Sequence, residues 1–364
     1  MHPSTQPPQY ALMEYRAPVF RATLGILEQN SCDWGYLESV INREGVQEFI
    51  AFLIQNGLAN IFYEHLSKHS GESKDEQDIK NALRPYALSD AARYLSQKGT
   101  LKKIHKAFET AGVKYAVFKG AHVRESAYQE AWLRPTQDID VLVSVNDKAA
   151  AIEALIETGM QYHPNPEVLS HEVTLTNADT AVDLHWHIMR PGRTRVDMTE
   201  YLLGDAVFAN GYWGMNPTAT MLILLTHPAI NKYVCSPDAS LIKMIDLCLW
   251  MKRPDIDQNE LLALINRAGL RTAAWSTLLL IKLMTNEQRY QALYEQLQPG
   301  YIQSRYIEYW VSRDLPTRYY DHRYLMRTAF SLSLHDNLAD MVRAVALLAG
   351  YRMESRRKAL DQRG

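Results

Sequence analysis

Cysteine is scarce in this chain: Cys32, Cys235 and Cys248 are the only three, and they lie far apart. An odd, dispersed set excludes a disulfide framework and CxxC metal knuckles. It fits a reducing compartment, so the expected location is cytoplasmic. Long apolar runs are missing too. The most apolar stretches, 221–225 and 277–284, are too short to cross a bilayer, and no membrane association is expected. The opening residues, with Pro3, Pro7, Pro8 and Glu14, lack the basic-then-apolar order of a signal peptide. Nor is there an excess of one charge. Lys and Arg number 39 against 41 Asp and Glu, a net charge of −2, so nothing draws the whole chain toward nucleic acid. Repeats and low-complexity tracts are also absent.

What remains is an ordinary globular composition, 47% hydrophobic and 22% charged. The 364 residues suit about two or three domains. The first hundred residues read as helical: Val46, Phe49, Ile50, Leu53 and Ile54 form an apolar stripe, continued by Leu58, Ile61 and Phe62. Residues 69–78, rich in Ser, Gly and charge, read as a surface loop, and 87–111 as a long helix. The pattern changes at Gly112. Short apolar runs at 115–118 and 139–145 suit buried strands. Residues 121–131 and 147–158 suit helices, the second closed by Gly159. Residues 171–176 and 181–188 read as two more strands, joined by turn chemistry at 177–180. From Met198 the helical period returns, with helices expected at 219–227, 239–251, 259–268, 273–284 and 340–357.

The sharpest local signal is Asp138-Ile139-Asp140-Val141-Leu142-Val143. Alternation along a strand puts Asp138 and Asp140 on one face and Ile139, Val141 and Val143 on the other. Carboxylates this close raise each other's pKa, and a hard divalent cation removes that cost. Taken alone, the pair reads as a solvated strand face. A second segment changes the balance. From Val182 to Ile188 apolar and polar residues alternate, so that Asp183, His185 and His187 share a face. If the two strands are neighbours, Asp183 joins Asp138 and Asp140, and three acids can serve metal-assisted phosphoryl displacement.

The ordered set Phe118-Lys119-Gly120, Leu133-Arg134-Pro135, Asp138 to Val143, and Val182-Asp183-Leu184-His185-Trp186 resembles the bacterial uncharacterised nucleotidyltransferase family. That family lies within the DNA polymerase β-like superfamily of minimal nucleotidyltransferases. The resemblance is specific over 113–188. Residues 222–250, with His227 and Asp246, resemble the family's C-terminal part less diagnostically, and the first hundred residues are not covered.

The resemblance implies an α+β fold, a nucleotidyltransferase-like mixed sheet with flanking helices. It implies metal ligation by Asp138, Asp140 and Asp183, with Mg²⁺ or Mn²⁺ as the ion and an NTP as substrate. The NMP group passes to a hydroxyl of an acceptor that is a small molecule, a sugar, a peptide or a protein. An RNA end also stays open. Gly120 matches the glycine of the superfamily's Gly-Ser pair, where backbone approaches phosphate. Lys119 and Arg134 are candidates for the phosphates, and Arg134 reads equally as a structural ion pair. His185 is a candidate to orient the carboxylates. Two departures stand out. Ala121 occupies the serine's place, and the stretch from Gly120 to Asp138 is longer than usual. The first points to the alternative, an inactive binding module on the same fold, whereas the retained acids point to the enzyme.

Other residues carry weaker expectations. Arg190, Arg193 and Arg195 form a phosphate or acceptor patch or are solvated. His185 and His187, with His163 and His171, raise a zinc-hydrolase alternative. His227 and Asp246 read as helix-packing polar residues. The basic run 352–363 has no interleaved aromatics, so nucleic-acid binding is not supported. The expected arrangement is a helical N-terminal region at 1–100, the α/β domain at 101–195 and a helical C-terminal region at 196–364.

Overall fold

The computed structural model describes residues 15–69, 73–163, 171–231, 240–285, 289–315 and 322–361. Its centre is a seven-stranded mixed sheet. In chain order the strands are β1 (Tyr115–Phe118), β2 (Asp138–Val143), β3 (Gln161–His163), β4 (Glu172–Thr176), β5 (Ala181–His185), β6 (Val207–Ala209) and β7 (Tyr212–Gly214). Across the sheet they run β3-β4-β5-β2-β1-β7-β6. Strands β2 and β5 are parallel, with Asp140 beside Asp183, whereas β1 and β2 are antiparallel.

Alternation decides what each face meets. Val117, Ile139, Val141, Val143, Val182 and Leu184 point to one side and bury against Leu101, Ile104, Phe108, Ala151 and Leu155. Those partners come from the helices Lys74–Ala111 and Lys148–Glu157. The other face carries the acids and meets the helices Pro217–Ile230 and Leu241–Trp250. A second apolar cluster joins N-terminal residues such as Phe20, Phe49 and Phe62 to C-terminal ones such as Leu225, Ile245 and Trp275. The helical segments at the two ends of the chain thus share one core, beside the acidic face.

Several local expectations are corrected. The charge-rich 69–78 segment is a loop only in part, because the 38-residue helix Lys74–Ala111 begins inside it. Ser73 accepts a hydrogen bond from the Glu76 amide at 3.2 Å, and Asp75 and Glu76 complement the positive helix end. The helix read at 121–131 starts earlier and stops at Ala127. β5 ends at His185, since its partner β4 begins at Glu172, directly opposite. The hairpin β6–β7 lies in the stretch read as purely helical and extends the sheet beside β1. The basic run continues the helix Leu338–Asp361 as far as 361, and Arg363 and Cys235 lie outside the described residues. Among the described residues no helix is long and apolar enough to cross a membrane.

Candidate active site

The acidic sheet face floors a cavity of about 250 Å³. Asp138, Asp140 and Asp183 line it together with Lys119, Gly120, Arg134, His171, Glu172 and Arg190. Its opposite wall comes from helical residues, among them Ile223, Leu224, His227, Lys243 and Asp246. The parallel register of β2 and β5 brings the acids together: Asp140 is level with Asp183, and Asp138 stands two residues earlier on the same face. Thr174 on β4 donates to Asp183 Oδ1 at 2.6 Å and fixes that carboxylate.

Lys119 follows β1 in the left-handed region at φ 54°, a costly conformation for a residue with a side chain. Its Nζ lies 2.6 Å from Asp140 Oδ1. Burial acts to lower the Lys119 pKa, yet Asp140 more than offsets this and the lysine pKa rises. Burial likewise works to raise Asp140, but Lys119 and His185 outweigh it and hold that carboxyl well below the usual range. Asp138 goes the other way, pushed up to about 6 by burial and by the charges of Asp140 and Asp183. Asp183 is also raised, chiefly by burial.

These residues fit a hard divalent ion. Crowded, desolvated carboxylates carry a repulsion that a cation relieves, and their oxygens suit Mg²⁺ or Mn²⁺. Ligand atoms of Asp140, Asp183 and His185 lie within 4.8 Å of one another. In this structure His185 therefore stands closer to the centre of the cluster than a purely supporting residue requires. It is fully buried, with Nε2 2.9 Å from Asp140 Oδ1 and Nδ1 3.2 Å from Glu172 Oε2.

Gly120 is demanded by packing. A Cβ there would overlap the Arg134 guanidinium and come within 2.7 Å of Thr136 Oγ1. Arg134 borders the cavity, and each of its three nitrogens makes a protein hydrogen bond. Nη2 and Nε reach Asp246 Oδ2 at 2.7 and 3.2 Å, and Nη1 reaches the Pro135 carbonyl at 3.0 Å. Of the two sequence readings for Arg134, the ion pair is the one formed here. Tyr128 donates to the same Asp246 at 2.7 Å, so Asp246 is the hub of a buried network that holds Arg134 against Gly120. Ala121, in the place of the superfamily's serine, is fully buried in the apolar cluster under the sheet.

Of the arginines that follow β5, two part company. Arg190 lines the cavity, while Arg195 is bound to Asp340 at 2.6 Å in the C-terminal helix. The histidines also divide. His187 pairs with Asp197 at 3.2 Å, and His163 bonds Thr176 at 2.7 Å. His171 and His185 do converge, with Glu172 between them. Sequence reading passed over Glu172 and Lys243. The first was within reach, because the tight turn at 177–180 sets a register in which Glu172 opposes His185. The second had no local signal. No curated protein matches the chain. The profile of the family described as "Uncharacterised nucleotidyltransferase" matches residues 42–286.

Proposed function

The chain belongs to the uncharacterised nucleotidyltransferase family, and from that premise we propose that it moves an NMP group from an NTP to a hydroxyl of an acceptor, releasing pyrophosphate. The observation that carries this reading is the convergence of Asp138, Asp140 and Asp183 on one sheet face at the floor of a cavity. The same arrangement supports placing the chain in the DNA polymerase β-like superfamily, with an α/β catalytic unit at 101–195 whose sheet is extended by the β6–β7 hairpin.

Mg²⁺ or Mn²⁺ would be held by Asp138, Asp140 and Asp183 and, when bound, would supply charge against the triphosphate and acidify the acceptor hydroxyl. Lys119 supplies a fixed positive charge at the same floor and holds Asp140 ionised. Thr174 and His185 keep Asp183 and Asp140 in place, so that the carboxylates need little reorganisation when substrate arrives. Arg134 acts at one remove: bound to Asp246, it packs against Gly120 and sets the first turn of the helix Lys119–Ala127. Arg190 and Lys243 add cationic groups to the cavity wall, where they suit phosphate or an anionic acceptor. The burial of Ala121 weakens the case against catalysis, since that position does not line the cavity.

A second reading is a binding module that keeps the fold without turnover. It is favoured by one observation, the commitment of Asp140 Oδ1 to both Lys119 and His185. One experiment separates the two. Purified protein is incubated with each labelled NTP, Mg²⁺ or Mn²⁺ and a cell extract, and pyrophosphate and labelled product are followed. Label transfer that Asp183→Asn abolishes supports the enzyme. Metal-dependent NTP binding with no transfer to any extract component supports the module.

A further inference from the structure

Beside the carboxylate centre lies a cluster in which His171 and Glu172, two residues without a part in the proposed transfer, meet the far side of His185. Glu172 Oε2 is 3.2 Å from His185 Nδ1 and 3.4 Å from His171 Nε2. One ligand atom from each of these residues falls within a 4.8 Å group. Two donors bound at about 2.0–2.1 Å to a tetrahedral zinc ion stand about 3.3–3.4 Å apart, so both measured separations match an edge of that tetrahedron. His185 Nδ1 is buried and makes no aligned hydrogen bond, in spite of its nearness to Glu172.

The other ring nitrogen completes the pattern. His185 Nε2 lies 2.9 Å from Asp140 Oδ1. A metal-ligating histidine characteristically donates its second N–H to a carboxylate, which fixes the tautomer and turns the free nitrogen toward the ion. With Nε2–H donating to Asp140, Nδ1 is the bare nitrogen, and it faces Glu172 and His171. Both of those residues also line the cavity, which leaves the remaining coordination position open to it.

We propose that His171, Glu172 and His185 form a second metal site, selective for a borderline transition metal of the Zn²⁺ class and separate from the hard-ion site of Asp138, Asp140 and Asp183. Two imidazoles and one carboxylate suit zinc over magnesium. An ion there locks His185 against Asp140 and couples occupancy of the second site to the geometry of the first.

The test is metal binding, independent of transfer activity. Zn²⁺ is titrated against a chromophoric chelator, and Co²⁺ is used as a spectroscopic probe of tetrahedral coordination. The parent protein should bind one Zn²⁺ per chain and give an intense visible Co²⁺ spectrum. His171→Ala should weaken Zn²⁺ by more than the roughly 10–100-fold that loss of an outer-shell partner costs, and should abolish the spectrum. Glu172→Gln, which keeps the side chain's size, should do the same if His171→Ala does not fold. Asp183→Asn should retain the zinc. A parent that binds no more Zn²⁺ than these variants overturns the proposal. So does zinc that disappears in Asp183→Asn but persists in His171→Ala and Glu172→Gln, because the ion then sits among the carboxylates.

Discussion

Replacing Gly120 by alanine puts a methyl group where the Arg134 guanidinium already sits, with Arg134 Cζ 2.8 Å and Thr136 Oγ1 2.7 Å from the new carbon. Side-chain tips usually yield to such a clash at little cost. Here the tip is buried and held by Asp246 and by the Pro135 carbonyl, so relief means pulling Arg134 off its partner. Breaking a buried ion pair costs about 3–5 kcal/mol, since each partner is left desolvated. Against this, alanine gains about 0.5–1 kcal/mol over glycine in a helix. The expected net loss is about 2–4 kcal/mol, read as a lowered urea midpoint by tryptophan fluorescence at unchanged m. A control isolates the cause. With Arg134 and Asp246 both replaced by leucine, Gly120→Ala should cost less than about 1 kcal/mol, because only Thr136 must then give way. An unchanged or raised midpoint for Gly120→Ala would refute the clash argument, and so would an equal loss in both backgrounds.

Three further outcomes are expected. Asp183→Asn should lower kcat by orders of magnitude with a modest change in apparent NTP affinity, the pattern of an interaction used mainly in the transition state; steady-state kinetics at the parent rate would remove Asp183 from the mechanism. Lys119→Ala should weaken NTP binding measured by calorimetry and raise the Asp140 pKa, because Asp140 loses its ammonium partner; unchanged affinity would exclude Lys119 from the phosphates. Burial holds His122 neutral and lowers its pKa to about 4. The unfolded chain, with an ordinary histidine pKa near 6.5, therefore binds more protons between those values, so stability should fall as pH drops from about 6.5 toward 4. His122→Asn should flatten that slope in urea titrations, and a slope as steep as the parent's would assign the effect elsewhere.

Much of the site could be read along the chain because its logic is local. A strand's period of two settles that Asp138 and Asp140 share a face, and Asn177, which accepts from the amides of Asp179 and Thr180, announces the turn before β5. Periodic stretches placed the helices read at 147–158, 259–268 and 273–284 to within a few residues. Other features lacked a local signature. Strands β6 and β7 have three residues each, and β6 is exposed throughout, so neither apolar period nor length marks them. Extending the alternation of β5 to His187 failed because a strand ends where its neighbour ends, and β4 begins only at Glu172.

The sequence by itself determined the alternating strands, the acids they carry and the helical segments around them, since these follow from backbone periodicity and side-chain type over a few residues. Only the tertiary structure decided what those groups do to one another. Arg134 read equally as a phosphate ligand and as a structural ion pair, and the partner of that pair, Asp246, lies 112 positions away. Gly120 read as a glycine for backbone approach, and the fold adds a second demand, since Arg134 and Thr136 fill the space a Cβ would need. His171 joined His185 while His187 turned away to Asp197. Charge pairing, exclusion of a Cβ and shared ligation act through space over a few ångströms, and it is the packing of distant segments that sets those distances.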